Sequence, residues 1–131
     1  MSYRYHKHYT LEEARALLPQ IREWLNEVGA MREKLERQEQ KVAALMEPGV
    51  DVGGPLVNRW VELMAQIKEV LMEFHRREIQ IKDLDRGLID FPSLMGGREV
   101  FLCWEQGEED IEFWHDLDAG YAGREKLSGS E

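Results

Sequence analysis

Apolar residues recur at alternating steps of three and four through the first two-thirds of the chain, the pattern of helices that bury one stripe. Thr10-Leu11-Glu12-Glu13 opens the first helix as a capping box. The Thr10 hydroxyl can accept from the Glu13 amide, and the Glu13 carboxylate can reach back to the Thr10 amide. From Leu18 the seam passes through Ile21, Leu25, Val28, Arg32, Leu35, Glu39, Val42 and Met46, polar only at Arg32 and Glu39. Pro19 removes the bond to the Arg15 carbonyl, so a kink is expected near Leu18. Pro48-Gly49 ends this helix and Gly53-Gly54-Pro55 closes the connection. A second seam, Leu56, Trp60, Leu63, Ile67, Val70, Phe74, Arg77, Ile81 and Leu84, predicts a helix that stops at Gly87, the left-handed C′ position. The two predict a long antiparallel, coiled-coil-like helical hairpin over residues 11–86. Each helix also carries a second stripe: Leu17, Trp24, Met31 and Leu45 on one, Val57, Val61, Met64 and Leu71 on the other. Apolar surface wider than one seam calls for a partner, and a homodimer in a four-helix arrangement is the simplest cover.

After Gly87 the periodicity changes. Gly96-Gly97 marks a turn, Val100-Phe101-Leu102-Cys103-Trp104 is a continuous run of strand formers, and Ile111-Glu112-Phe113-Trp114 follows Gln106-Gly107. That predicts a small C-terminal β-hairpin whose first strand is covered on both faces. A loop at 106–109 would set Glu99 opposite Asp116 and Phe101 opposite Trp114, with His115 on the other face beside Val100. Tyr3 to Tyr9 alternates aromatic with basic or imidazole residues and is a candidate third strand, its Arg4 and Lys7 complementing the acidic hairpin. The fold class expected is therefore mainly α within α+β, as a single domain over 1–131. The helical hairpin occupies about 11–86, an acidic aromatic β-hairpin and loop about 87–125, and a disordered tail about 126–131.

Charge sharpens this division. Eleven carboxylates against Arg86 and Arg98 lie between Asp83 and Asp118, which equals the whole chain's net charge of −9. The rest is neutral, with Lys and Arg interspersed among Glu as on solvated helix faces. No concentrated basic face exists to bind phosphates, so nucleic acid is not expected as a partner. No apolar run is long enough to span a membrane, and Met1 to Thr10 has no signal-like apolar core. With a single cysteine, Cys103, no internal disulfide can form. The expected setting is cytoplasmic.

The acidic window also holds the candidate chemistry. Asp83 and Asp85, read as the last turn of the second helix, oppose its dipole and need a compensating cation. Arg86, Arg98 and Arg124 are the expected partners, as structural ion pairs with Asp83, Asp85, Glu99 or Asp116, and for Arg124 also Asp90 or Asp118. The sharper alternative is a divalent metal held by His115, Asp116 and Asp118 with carboxylates from Asp85, Asp90 or Glu99, a donor set that suits zinc, manganese or iron. His6 and His8 share one side of an extended segment but supply only two ligands. Cys103 reads as a buried thiol, because no basic partner is near in sequence.

Four segments in order resemble a known family: Tyr9-Thr10-Leu11-Glu12-Glu13-Ala14 with Leu17-Leu18-Pro19; Lys82-Asp83-Leu84-Asp85-Arg86-Gly87-Leu88-Ile89-Asp90-Phe91-Pro92; Gly97-Arg98-Glu99-Val100-Phe101-Leu102-Cys103-Trp104; and Trp114-His115-Asp116-Leu117-Asp118-Ala119-Gly120-Tyr121-Ala122-Gly123-Arg124. They are similar to the bacterial uncharacterised family catalogued as domain of unknown function 2203. The resemblance implies no activity, cofactor or site residue. On the residues alone, the expected function is a non-catalytic interaction or scaffold protein that self-associates and presents its acidic end to a protein partner. The alternative is a small divalent-metal-binding protein or metal-dependent enzyme.

Overall fold

A computed structural model of the protein describes residues 2–45 and 54–127, in which two helices precede a five-stranded antiparallel sheet. Helix α1 is Leu11–Leu45 and α2 is Pro55–Arg76. The strands are β1 (Gln80–Asp83), β2 (Leu88–Met95), β3 (Arg98–Glu105), β4 (Phe113–Asp116) and β5 (Glu125–Lys126), paired in chain order as a meander. This corrects the expected long helical hairpin with a small β-hairpin. The second helix stops at Arg76 rather than Arg86, and β1 occupies part of the segment expected to be helical. Residues 46–53 and 128–131, where the interhelical connection and most of the expected tail fall, lie outside the described residues. No helix among the described residues is long and apolar enough to cross a membrane.

The early end of α2 has a local cause. The Ile79 amide donates to the Phe74 carbonyl and the Glu78 amide to the His75 carbonyl, the pair of bonds that closes a Schellman motif. Glu78 occupies the left-handed C′ position at φ 57, and Phe74 and Ile79 make the buried apolar pair that accompanies it. A glycine there would have been readable; a glutamate is not. Gly87 is left-handed as expected, φ 66, but in the β1–β2 turn, where a Cβ would collide with the Gln106 side chain.

β2 escaped notice because Pro92 sits inside it, and proline cannot donate to a ladder. Pro92 pairs with Phe101 in β3, and its carbonyl accepts the Tyr9 amide at 2.7 Å. A strand residue's N–H and C=O point to the same side, so the missing donor lies on the side away from β3. β1 reaches β2 only up to Asp90, so no ladder bond is lost.

The chain divides into two compact units, residues 1–22 with 74–131, and residues 23–73. In the first, the capping box forms as read: the Thr10 amide donates to Glu13 Oε1 at 2.9 Å and the Glu13 amide to Thr10 Oγ1 at 3.1 Å. α1 then runs on through Pro19 as one helix, with Ala14, Leu18 and Ile21 buried. The sheet face carrying Ile89, Phe91, Val100, Leu102 and Trp104 is the one this end of the chain covers. The Tyr9 ring lies 5.7 Å from that of Phe91, and the Arg22 guanidinium lies 5.5 Å from the Trp104 ring. In the second unit, Leu25, Val28, Leu63 and Ile67 are buried, and Glu39 accepts a hydrogen bond from Trp60 Nε1 at 3.2 Å. The N-terminal segment is not a third strand. Residues 2–8 form an irregular arm, bent at Arg4 and His6, whose Tyr5 ring packs on Phe101 of the opposite sheet face.

Candidate functional site

The decisive local feature is the β3–β4 register. Val100 faces Asp116, Phe101 faces His115, Leu102 faces Trp114 and Cys103 faces Phe113. The expected pairs Glu99–Asp116 and Phe101–Trp114 are therefore off by one residue. The cause is the connection, which extends to residue 112 and is fastened from beneath. Trp104 Nε1 donates to the Glu108 carbonyl, Arg22 to that of Glu109 and Arg15 to that of Ile111, whose side chain is fully buried. A one-residue slip turns every side chain of a strand over. It moves His115 onto the face that carries Phe101 and Cys103, where Asp90 also projects because β2 pairs it with Cys103.

Asp90, Cys103 and His115 thus meet, with one ligand atom from each lying within 4.8 Å of the others. Asp90 and His115 are 2% exposed and Cys103 is 0% exposed. His115 Nδ1 lies 2.7 Å from the Asp116 carbonyl, which can only accept, so Nδ1 carries the hydrogen. Nε2 lies 3.0 Å from Asp90 Oδ2, and the two groups share one proton. Asp90 Oδ1 is buried and has no hydrogen-bond partner. Burial pushes the Asp90 carboxyl up, although His115 beside it pulls the other way. Burial, helped by the Asp90 charge, pushes the Cys103 thiol up to about 12.

Four side chains lie around the trio. The Phe101 ring lies 5.5 Å from His115 on one side and 5.5 Å from Tyr5 of the arm on the other, with the Lys82 ammonium 4.8 Å from its centroid. Arg124 closes the opposite end. Its Nη1 is 3.9 Å from Cys103 Sγ, its guanidinium stacks 3.9 Å from the Phe113 ring, and it makes a two-pronged ion pair with Glu108 at 2.9 and 3.2 Å.

Of the metal ligands read from sequence, His115 and Asp90 come together and the others do not join them. Asp116 pairs with Arg98 at 3.3 Å, Asp118 with Arg4 at 3.5 Å, and Asp85 sits in the exposed β1–β2 turn. Asp83 ends β1, outside any helix, and accepts the Arg86 amide. Glu99 takes the amides of Arg4 and Tyr5 and His8 Nε2, at 2.8, 2.9 and 2.8 Å. His6 pairs with Glu78 instead, so the two imidazoles have separate partners. Arg86 pairs with Glu105 at 2.8 Å and Arg124 with Glu108, whereas Arg98 pairs with Asp116, a partner named beforehand. Cys103 was missed as a ligand because its partners come from neighbouring strands. One signal was available: Leu88–Pro92 is an apolar run interrupted only by Asp90. A carboxylate inside such a run needs a buried partner.

The family model of domain of unknown function 2203, described as an uncharacterized conserved protein, matches residues 7–127. No curated protein and no solved structure matches the chain.

Proposed function

The chain belongs to the family of domain of unknown function 2203, and we propose that it is a divalent-metal-binding protein with Asp90, Cys103 and His115 as ligands. The observation that carries this reading is Asp90 Oδ1, a buried carboxylate oxygen without a partner beside a thiol and an imidazole. An orphaned buried acceptor is costly, and a cation would satisfy it. Thiolate, imidazole and carboxylate together suit zinc, and the three leave one position of a tetrahedral ion for a further ligand. Two anionic ligands neutralise a dication, so the filled site buries no net charge. The bond from His115 Nδ1 to a carbonyl fixes the tautomer that presents Nε2, the usual outer support of a metal-bound histidine. A cysteine nucleophile fits less well: both His115 nitrogens are engaged, the group facing the sulfur is the Asp90 carboxylate, and burial together with that charge pushes the thiol up to about 12.

Cobalt(II) titrated into chelator-treated protein tests the reading. One ion should bind per chain with a thiolate-to-cobalt charge-transfer band, and Cys103→Ser should lose that band. A titration without it would defeat the proposal.

A second reading, self-association, is favoured by Val57, Val61 and Met64, which are 42%, 52% and 43% exposed along one side of α2. An antiparallel pairing of this helix with its copy about Val61 would set each Val57 near the other's Met64. Sedimentation should find a dimer at micromolar concentration and a monomer for Val61→Glu; a wild-type monomer would refute it.

A further inference from the structure

We infer that the N-terminal arm, residues 2–8, is the gate through which a divalent cation of the zinc class reaches and leaves the Asp90–Cys103–His115 site. The inference rests on the metal reading for its cargo, but the gate itself stands on the arm's geometry.

The arm covers the site without belonging to the sheet. Its Tyr5 ring stacks on Phe101, whose other neighbour is His115, and the charge of Asp90 is among those felt by the Tyr5 phenol. Among the described residues, the first backbone-to-backbone bond tying the chain's start to the sheet is Tyr9 N–H to the Pro92 carbonyl. Tyr9 is a firm anchor. It is buried, its hydroxyl donates to the Arg77 carbonyl, and its own carbonyl accepts Ser93 Oγ at 2.6 Å. Everything before it is held chiefly through side chains.

One side chain carries most of that hold. Glu99 receives two arm amides, one on each oxygen, and the His8 ring as well. Further fastenings lie nearer solvent: Tyr3 Oη to the Gly97 carbonyl, the His6 amide and ring to Glu78, Arg4 to Asp118, and Lys7 to Glu13. Releasing the Glu99 carboxylate would therefore free residues 2–8 while Tyr9, the capping box and every strand pairing stay in place. Such a local opening needs far less free energy than unfolding. The other cover, Arg124, is fixed by two charge-assisted bonds and two stacked rings, and it is the wall rather than the door.

Cys103 reports on the opening, since it is the chain's only thiol and is fully buried. Its rate of alkylation by iodoacetamide is measured in the metal-free full chain, with hydrogen exchange of the sheet amides followed in parallel. Glu99→Gln keeps the shape but leaves a single acceptor oxygen, and should speed alkylation at least about tenfold while sheet amides stay protected. Tyr5→Ala, which removes the covering ring and leaves Glu99 untouched, should do the same, so the test survives if one variant misfolds. Zinc release from the loaded protein to a chelator should quicken by a similar factor in both. Alkylation that accelerates only with Glu108→Gln would place the entrance at Arg124 and overturn the gate. So would alkylation in the Glu99 and Tyr5 variants that merely tracks global unfolding. If alkylation accelerates as expected but no cobalt or zinc binds, the gate stands and the metal reading falls.

Discussion

Zinc added to the metal-free protein should release about two protons per ion bound and raise the melting temperature, by about 10 °C when free zinc is a hundredfold above its dissociation constant. One proton comes from the Cys103 thiol, which titrates at about 12 and is therefore protonated throughout the neutral range. The other is the proton shared by Asp90 Oδ2 and His115 Nε2, which the cation displaces. Both are lost on binding, so affinity must rise with pH; the thiol alone contributes about a tenfold gain per pH unit. Asp90→Asn separates the two sources. Its amide can donate to Nε2 without a shared proton, so it should bind more weakly and release only about one proton. Cys103→Ala and His115→Ala should abolish the thermal shift, whereas Asp118→Asn, whose carboxylate pairs with exposed Arg4, should retain it. Calorimetry in buffers of different ionisation enthalpy counts the protons, and an ion bound without proton release would contradict this donor set.

Arg124→Ala should destabilise the fold by about 3 kcal/mol, and Arg98→Ala by no more than about 0.5 kcal/mol, although both arginines belong to ion pairs. Arg124 is 12% exposed, grips Glu108 with both arms of its guanidinium and stacks on Phe113 and Tyr121. Its removal leaves Glu108 uncompensated beside the Trp104 indole, which is held by the Glu108 carbonyl. Arg98 and Asp116 are 60% and 52% exposed, so solvent screens their attraction. Arg124→Lys should recover little, because an ammonium keeps the charge but not the planar fork. Urea midpoints compare the three; equal losses at positions 98 and 124 would mean that burial does not govern these pairs.

What could be read from the chain depended on whether the signal was local. The capping box at Thr10 and Glu13 involves residues three apart, and it forms as the spacing requires. The end of α2 was illegible because a glutamate holds the left-handed position, and heptad spacing continues by coincidence through Ile81 into β1. β2 was hidden by Pro92, whose missing donor is harmless only because of where β1 stops. The candidate site lay one residue beyond reach. His115 and Asp90 were identified as ligand types, but the register that joins them depends on how Arg15 and Arg22 grip the 106–112 connection from a helix far away in sequence.

The first compact unit joins residues 1–22 to residues 74–131, and this order has a consequence during synthesis. The face of α1 that bears Ala14, Leu18 and Ile21 is made well before the strands it packs against. At bacterial to eukaryotic elongation rates of about 5–20 residues per second, that face waits roughly 5–20 s for its sheet. During the wait the nascent chain presents an amphipathic helix with nothing to bury it. The strands that follow close a loop of long sequence separation, which slows folding. The capping box, complete within four residues, stabilises the helix start throughout that interval.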